Sequence, residues 1–123
     1  MIGPVEMWIP AEPKLSRVVR LAASAVASMG GFDVALIDDV KLVVSEIVLA
    51  LIEQGSGAEI HLSFVVDGLA FRVSGSTSTD DFDLAHSELN LCRSVLASLT
   101  VSHNISYEDG TAQIRAELCD LEA

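Results

Sequence analysis

Apolar residues recur at a helical period along the first half of the chain and mostly at a strand period along the second. From Pro13 to Met29, Leu15, Val18, Ala22, Ala25 and Met29 fall at helical spacing with Val26 beside them. Pro13 sits in the first turn, where a missing N–H is tolerated. The pattern predicts a first helix with that set as its core stripe, ended by Gly30 and Gly31. A second helix is predicted from after Phe32 to about Gln54, with Ile37, Val40, Val44, Ile47 and Leu51 facing the core and Gly55 and Gly57 stopping it. The period then shortens. Residues 60–66 and 69–73 read as strands joined at Asp67-Gly68, and residues 101–107 and 111–118 as strands joined at Asp109-Gly110, both strong hairpin signals. A third helix is predicted over residues 87–99, and the polar stretch 74–83 before it reads as a mobile loop. Residues 5–9, between Pro4 and Pro10, suit a short edge strand.

The predicted order is therefore strand, helix, helix, strand, strand, helix, strand, strand. Such segregation implies an α+β fold, a two-layer α/β sandwich with helices covering one face of a mixed, mostly antiparallel sheet. No repeat or linker divides the 123 residues, so residues 1–123 are expected to form one domain with a core of its own. Half of the residues are hydrophobic but only 5% are aromatic, so that core is aliphatic.

Charge narrows the range of partners. With 18 acidic residues against 7 Lys and Arg, the net charge of −11 opposes nonspecific binding to nucleic acid or anionic membrane. It suits a basic protein partner, and equally a need for nothing more than solubility. Cys92 and Cys119 show no paired spacing, which fits two free thiols in a reducing cytoplasm. Glu6 and Pro10 interrupt any signal-peptide run, and the longest apolar stretch, residues 42–52, is far too short for a bilayer. A cytoplasmic protein with no membrane partner is expected.

Few residues offer chemistry. His61, His86 and His103 accompany many serines, but no Gly-x-Ser-x-Gly elbow places a nucleophile, so these histidines read as ordinary strand and loop residues. No Cys-x-x-Cys or His-Glu-x-x-His is present, and no metal is expected. Asp80, Asp81 and Asp83 lack the remaining oxygen ligands and the glycine of a calcium loop. Gly55-Ser56-Gly57 follows a helix and precedes a strand, the reverse of a phosphate-binding loop. One cluster is more suggestive. Lys14, Arg17 and Arg20, three of the seven basic residues, lie along one flank of the first helix and suit an anionic partner group.

A family resemblance adds what spacing alone does not. Pro13-Lys14-Leu15, Val18-Val19-Arg20-Leu21, Ala25-Val26-Ala27, and Gly31-Phe32 through Ile37-Asp38-Asp39 to Leu42-Val43-Val44-Ser45-Glu46 resemble the anti-sigma-factor serine-protein kinases of bacteria, within the histidine-kinase-like ATPase superfamily. The similarity covers roughly residues 9 to 55, and the remaining order of elements agrees with it. It implies a dimeric cytoplasmic regulator that sequesters a sigma factor and phosphorylates an antagonist protein with ATP and magnesium. The family's general-base glutamate matches Glu46, and the arginine of its sigma-factor contact matches Arg20.

Four positions depart from the family pattern. The magnesium-binding asparagine is Ala50, and the histidine before the closing glycine is Gln54. The strand that should end in an adenine-reading aspartate reads Val73-Ser74-Gly75-Ser76, and the phosphate-cradling Gly-x-Gly-Leu reads Glu88-Leu89-Asn90-Leu91. Losing two charge-assisted contacts worth roughly 1.5–3 kcal/mol each lowers affinity about 10²- to 10⁴-fold. Ala50, Ser74, Gly75, Glu88 and Asn90 are therefore read as degenerate nucleotide positions and Glu46 as a vestigial base, with no cofactor expected. The expected function is binding of a sigma factor or an anti-sigma antagonist by a homodimer, through Arg20, Arg17 and Lys14. An active serine kinase using ATP and magnesium in an atypical pocket is the alternative. A third reading is a subunit that pairs with an active kinase homologue.

Overall fold

The computed structural model describes residues 1–55 and 59–120. Gly57, expected to help stop the second helix, and Ser56 lie outside the described residues. Strand β1 (Ile2–Ile9) leads through a 3₁₀ turn (Pro13–Leu15) into α1 (Ser16–Met29) and α2 (Val34–Gln54). Strands β2 (Ile60–Asp67) and β3 (Ala70–Ser78), helix α3 (Ser87–Leu99), and strands β4 (Ser102–Glu108) and β5 (Thr111–Cys119) follow. The order matches the reading from the sequence. The sheet runs β1-β2-β3-β5-β4, with β1 at an edge. All four pairings are antiparallel, so the sheet is antiparallel throughout rather than mixed.

Local signals explain most boundaries. Gly31, at φ +79, carries the chain out of α1 in a backbone region that side chains disfavour. Asp33 caps α2 by accepting a hydrogen bond from the Leu36 N–H at 2.9 Å. Asp109 and Gly110 both have positive φ, as the mirror-image turn of a two-residue hairpin requires. In the other hairpin Asp67 already pairs with Ala70, so the turn is Gly68-Leu69.

Two further expectations are corrected. The first concerns residues 74–78, which belong to β3 and not to a loop. β3 is flanked by β2 and β5 on either side, so pairing satisfies its backbone whatever the polarity of its side chains. Ser74 and Ser76 point to the uncovered face, while Gly75 and Thr77 are buried under the helices. Thr77 satisfies its hydroxyl by donating to the Glu59 carbonyl at 3.1 Å.

The second concerns α1. Its buried face is Val19, Ala23, Val26 and Ala27, which has only Val26 in common with the predicted set. Leu15 and Ala22 are half-buried, but Val18 is 47% exposed, Met29 is 69% exposed, and Ala25 is exposed. The helix has two apolar faces, and periodicity cannot tell which one meets α2. The face that does so is made of alanines and valines, which permit close approach. In α2 the expected stripe holds: Val40, Val44, Ile47 and Leu51 are buried and Ile37 is half-buried.

Helix α2 is the hub, touching α1, α3 and strands β2, β3 and β5. Its tightest approach to the sheet is at Gly75. A Cβ there would lie 2.8 Å from Leu51 Cδ1 and 3.0 Å from Ile47 Cγ2. Both side chains are fully buried, with no free space to swing into. The expected result for Gly75→Ala is therefore a loss of about 1–3 kcal/mol, the usual size of overpacking. Thermal denaturation should show it as a clear fall in Tm.

Candidate functional site

Of the residues singled out from the sequence, Glu46 on α2 and Glu88 on α3 come together where these two helices pack. Glu46 leaves α2 toward the first turn of α3, and its carboxyl lies within hydrogen-bonding reach of the Glu88 carboxyl. Its Oε2 is sealed from water and has no conventional donor beside it. Burial, followed by the Glu88 carboxyl, holds the Glu46 carboxyl above its ordinary value. Below them Cys92 is buried, and burial together with the charges of Glu46 and Glu88 pushes its thiol up to about 12. That thiol is protonated and inert at neutral pH.

The segment ahead of α3 is fastened down. Gln54, buried at the last turn of α2, grips the Asp83 backbone from both sides. Its Nε2 donates to the Asp83 carbonyl, and its Oε1 accepts from the Asp83 N–H at 2.8 Å. Tyr107 on β4 donates its hydroxyl to the Thr79 carbonyl at 2.7 Å, and its ring stacks on Phe82 at 5.2 Å. His86 caps α3 by accepting from the Glu88 N–H, and its Nε2 lies 3.6 Å from Glu53 on α2. Asp83 Oδ1 accepts from the Ala85 N–H. Among the described residues, no three His, Cys, Asp or Glu side chains converge as metal ligands.

The remaining positions are less united. Ala50 is fully buried on α2, and Gly75 is pressed against Leu51 and Ile47. Ser74 lies on the opposite face of the sheet, where its hydroxyl accepts from Gln113 at 3.2 Å. Asn90 is exposed and accepts from Arg93 at 3.1 Å. A magnesium nucleotide does not fit this set. Ala50 has no oxygen to offer, the approach to β3 is filled, and Glu88 presents a carboxyl already engaged with Glu46. Gln54 is the residue whose importance the sequence concealed: read only as a missing histidine, it is a buried two-point clamp.

The cationic cluster divides as well. Lys14 sits on the 3₁₀ turn, 3.7 Å from Glu12. Arg17 and Arg20, with Leu21, face Asp38, Lys41 and Leu42 of α2 across a groove of about 510 Å³. Beside the arginines runs the apolar face left uncovered on α1: Val18, Leu21, Ala25 and Met29. The surface thus joins two guanidinium groups to an apolar stripe. Among the described residues, no helix is long and apolar enough to cross a membrane.

No family model matches the chain. Individual proteins do. It is 34% identical over 91 residues to the serine-protein kinase RsbW of Bacillus velezensis, a match covering 69% of this chain and 57% of the relative. RsbW of Bacillus subtilis is 31% identical over 91 residues, with the same coverage. RsbW of Listeria monocytogenes is 28% identical over 95 residues, covering 72% of this chain and 60% of the relative. The chain therefore spans somewhat under two thirds of the length of the curated relatives it matches.

Two outcomes test this geometry. A carboxyl whose value is raised by folding holds more protons in the native state, so stability is greatest at low pH and falls as pH rises through the folded value. Glu46→Gln should remove that fall and stabilise the protein at pH 7–8 by about 0.5 kcal/mol, the size of a partly screened like-charge pair. Denaturation midpoints across pH will check it. Gln54→Ala should cost about 1–3 kcal/mol by stripping the Asp83 backbone of buried partners, and should speed amide exchange near residues 79–86.

Proposed function

This chain belongs to the family of the serine-protein kinase RsbW, and we propose that it acts there as a protein-binding regulator that neither hydrolyses ATP nor transfers phosphate. On this reading it is a degenerate, pseudokinase-like member of the fold and works in the cytoplasm as a homodimer. Its partner is a sigma factor or an anti-sigma antagonist. The observation that carries the reading is the contact between α2 and α3. Glu46, the family's base by resemblance, is turned against Glu88, and its Oε2 is sealed from water. Gln54 fastens the segment ahead of α3 to the end of the same helix. A carboxyl held against another acid in this way is poorly placed to take a proton from an acceptor hydroxyl.

Partner binding falls to α1. Arg17 and Arg20 meet an acidic group while Val18, Leu21, Ala25 and Met29 take an apolar one, a combination suited to an amphipathic helix with acidic flanks. Lys14, tied to Glu12 and outside the groove, contributes general charge only. Reversing a charge at such an interface costs several kcal/mol. Arg20→Glu should therefore abolish co-purification with a sigma factor or antagonist while leaving the fold intact. Undiminished capture by that variant would refute the assignment.

One observation favours a second reading, that of an active kinase using ATP and magnesium. Glu46 is retained, and its raised value is the direction a general base requires. Titration calorimetry separates the two. The regulator reading expects no heat from magnesium-ATP up to millimolar concentrations, whereas micromolar binding would establish the kinase reading.

A further inference from the structure

The helices cover only one face of the sheet, and the uncovered face is not featureless. It carries a cavity of about 430 Å³ lined by Val65, Arg72, Ser74, Asn104, Arg115 and Glu117, among others. The strand register explains why these side chains gather. Ser63, Ser74, Arg115 and Asn104 are consecutive partners across β2, β3, β5 and β4, and Val65, Arg72, Glu117 and Ser102 form the next row. Direct cross-strand neighbours stand close enough for their side chains to act together. Ile114 and Ala116, on either side of Arg115, point to the core, so Arg115 is aimed outward.

Charge then selects the ligand. Arg72 is already neutralised, 2.9 Å from Glu117 and 3.2 Å from Asp67. Arg115 makes no ion pair among the described residues, although the chain carries 18 acidic groups. Its Nη2 donates to Gln113 Oε1 at 3.0 Å, and Gln113 in turn donates to Ser74. The guanidinium is thus held over the sheet by neutral groups, with donors remaining for an outside anion. Hydroxyl and amide groups of Ser63, Ser74 and Asn104 flank it, and Val65 supplies an apolar wall.

We propose that this uncovered face binds a monoanionic carboxylate, held by Arg115 and flanked by Ser74 and Asn104. Arg72 and Arg115 are balanced overall by Glu117 and Asp67, so the site favours the anion of lowest charge that the unpaired Arg115 can hold. The planar fork of arginine fits a carboxylate in two-point geometry. The carboxylate belongs either to a small organic acid or to the end of a peptide, and both present the same group.

Amide spectra of the whole chain, titrated with sodium benzoate and separately with an N-acetylated tripeptide ending in a free carboxylate, test the idea at constant ionic strength. Saturable shifts are expected at residues 63, 74, 104 and 115. Arg115→Gln should weaken binding about 10- to 100-fold, as expected for loss of a charge-assisted pair. Glu117→Gln removes a negative charge from the cavity wall while Arg72 keeps Asp67, and should tighten binding, an opposite effect that damage to the fold would not produce. Tighter binding of the tripeptide assigns the carboxylate to a chain end, and tighter binding of benzoate to a small acid. No saturable shift, an unaltered response in both variants, or equal shifts from inorganic phosphate would overturn the proposal.

Discussion

Helix α2 is pressed against β3 at the one residue that has no side chain to hold it off. Gly75 lets Leu51 and Ile47 approach the strand within a distance that any Cβ would violate. The rest of the layering follows from that seat. With α2 fixed on the sheet, Val19, Ala23, Val26 and Ala27 bring α1 in along one side, and Leu89, Cys92 and Leu96 bring α3 in along the other. The three helices then share one core with alternate residues of β2, β3 and β5, mostly aliphatic as expected but centred on two fully buried aromatic rings, Phe64 and Phe71.

The same seat sets the chemistry of the site. Because α3 packs directly on α2, its first turn brings Glu88 against Glu46, and two acids meet where water is scarce. Such a pair tolerates one charge more readily than two. The clamp from Gln54 to Asp83 and the stack of Phe82 on Tyr107 keep the connecting segment down on this contact. Glu46 is therefore engaged at the contact between the two helices.

Much of this was legible in the sequence, for definable reasons. The bounds of α3 and the hairpin at Asp109-Gly110 were readable because helix period and turn chemistry are local properties. The face of α1 was not. Leu15, Val18, Ala22, Ala25 and Met29 make as good a stripe as Val19, Ala23, Val26 and Ala27, and only the partner helix decides between them. Ser74 to Ser78 read as loop because polarity hid a strand paired on both sides. At the site, the missing oxygen at Ala50 was visible in the residue itself. The roles of Gln54 and Glu88 were not, since both depend on groups some thirty or more positions away.

Sequence and structure meet in a division of labour. Between α2 and α3 the half-buried Glu46 and Glu88 face each other above the buried Cys92, whereas the outer flank of α1 exposes cations beside apolar side chains. The proposed regulator assigns recognition to the second and no catalysis to the first. The most direct test of that division is amide hydrogen exchange across residues 79–92, with and without millimolar magnesium-ATP. If the contact of Glu46 with Glu88 has replaced the nucleotide, protection there will be the same in both samples. Slower exchange confined to this segment when the nucleotide is added would contradict the account.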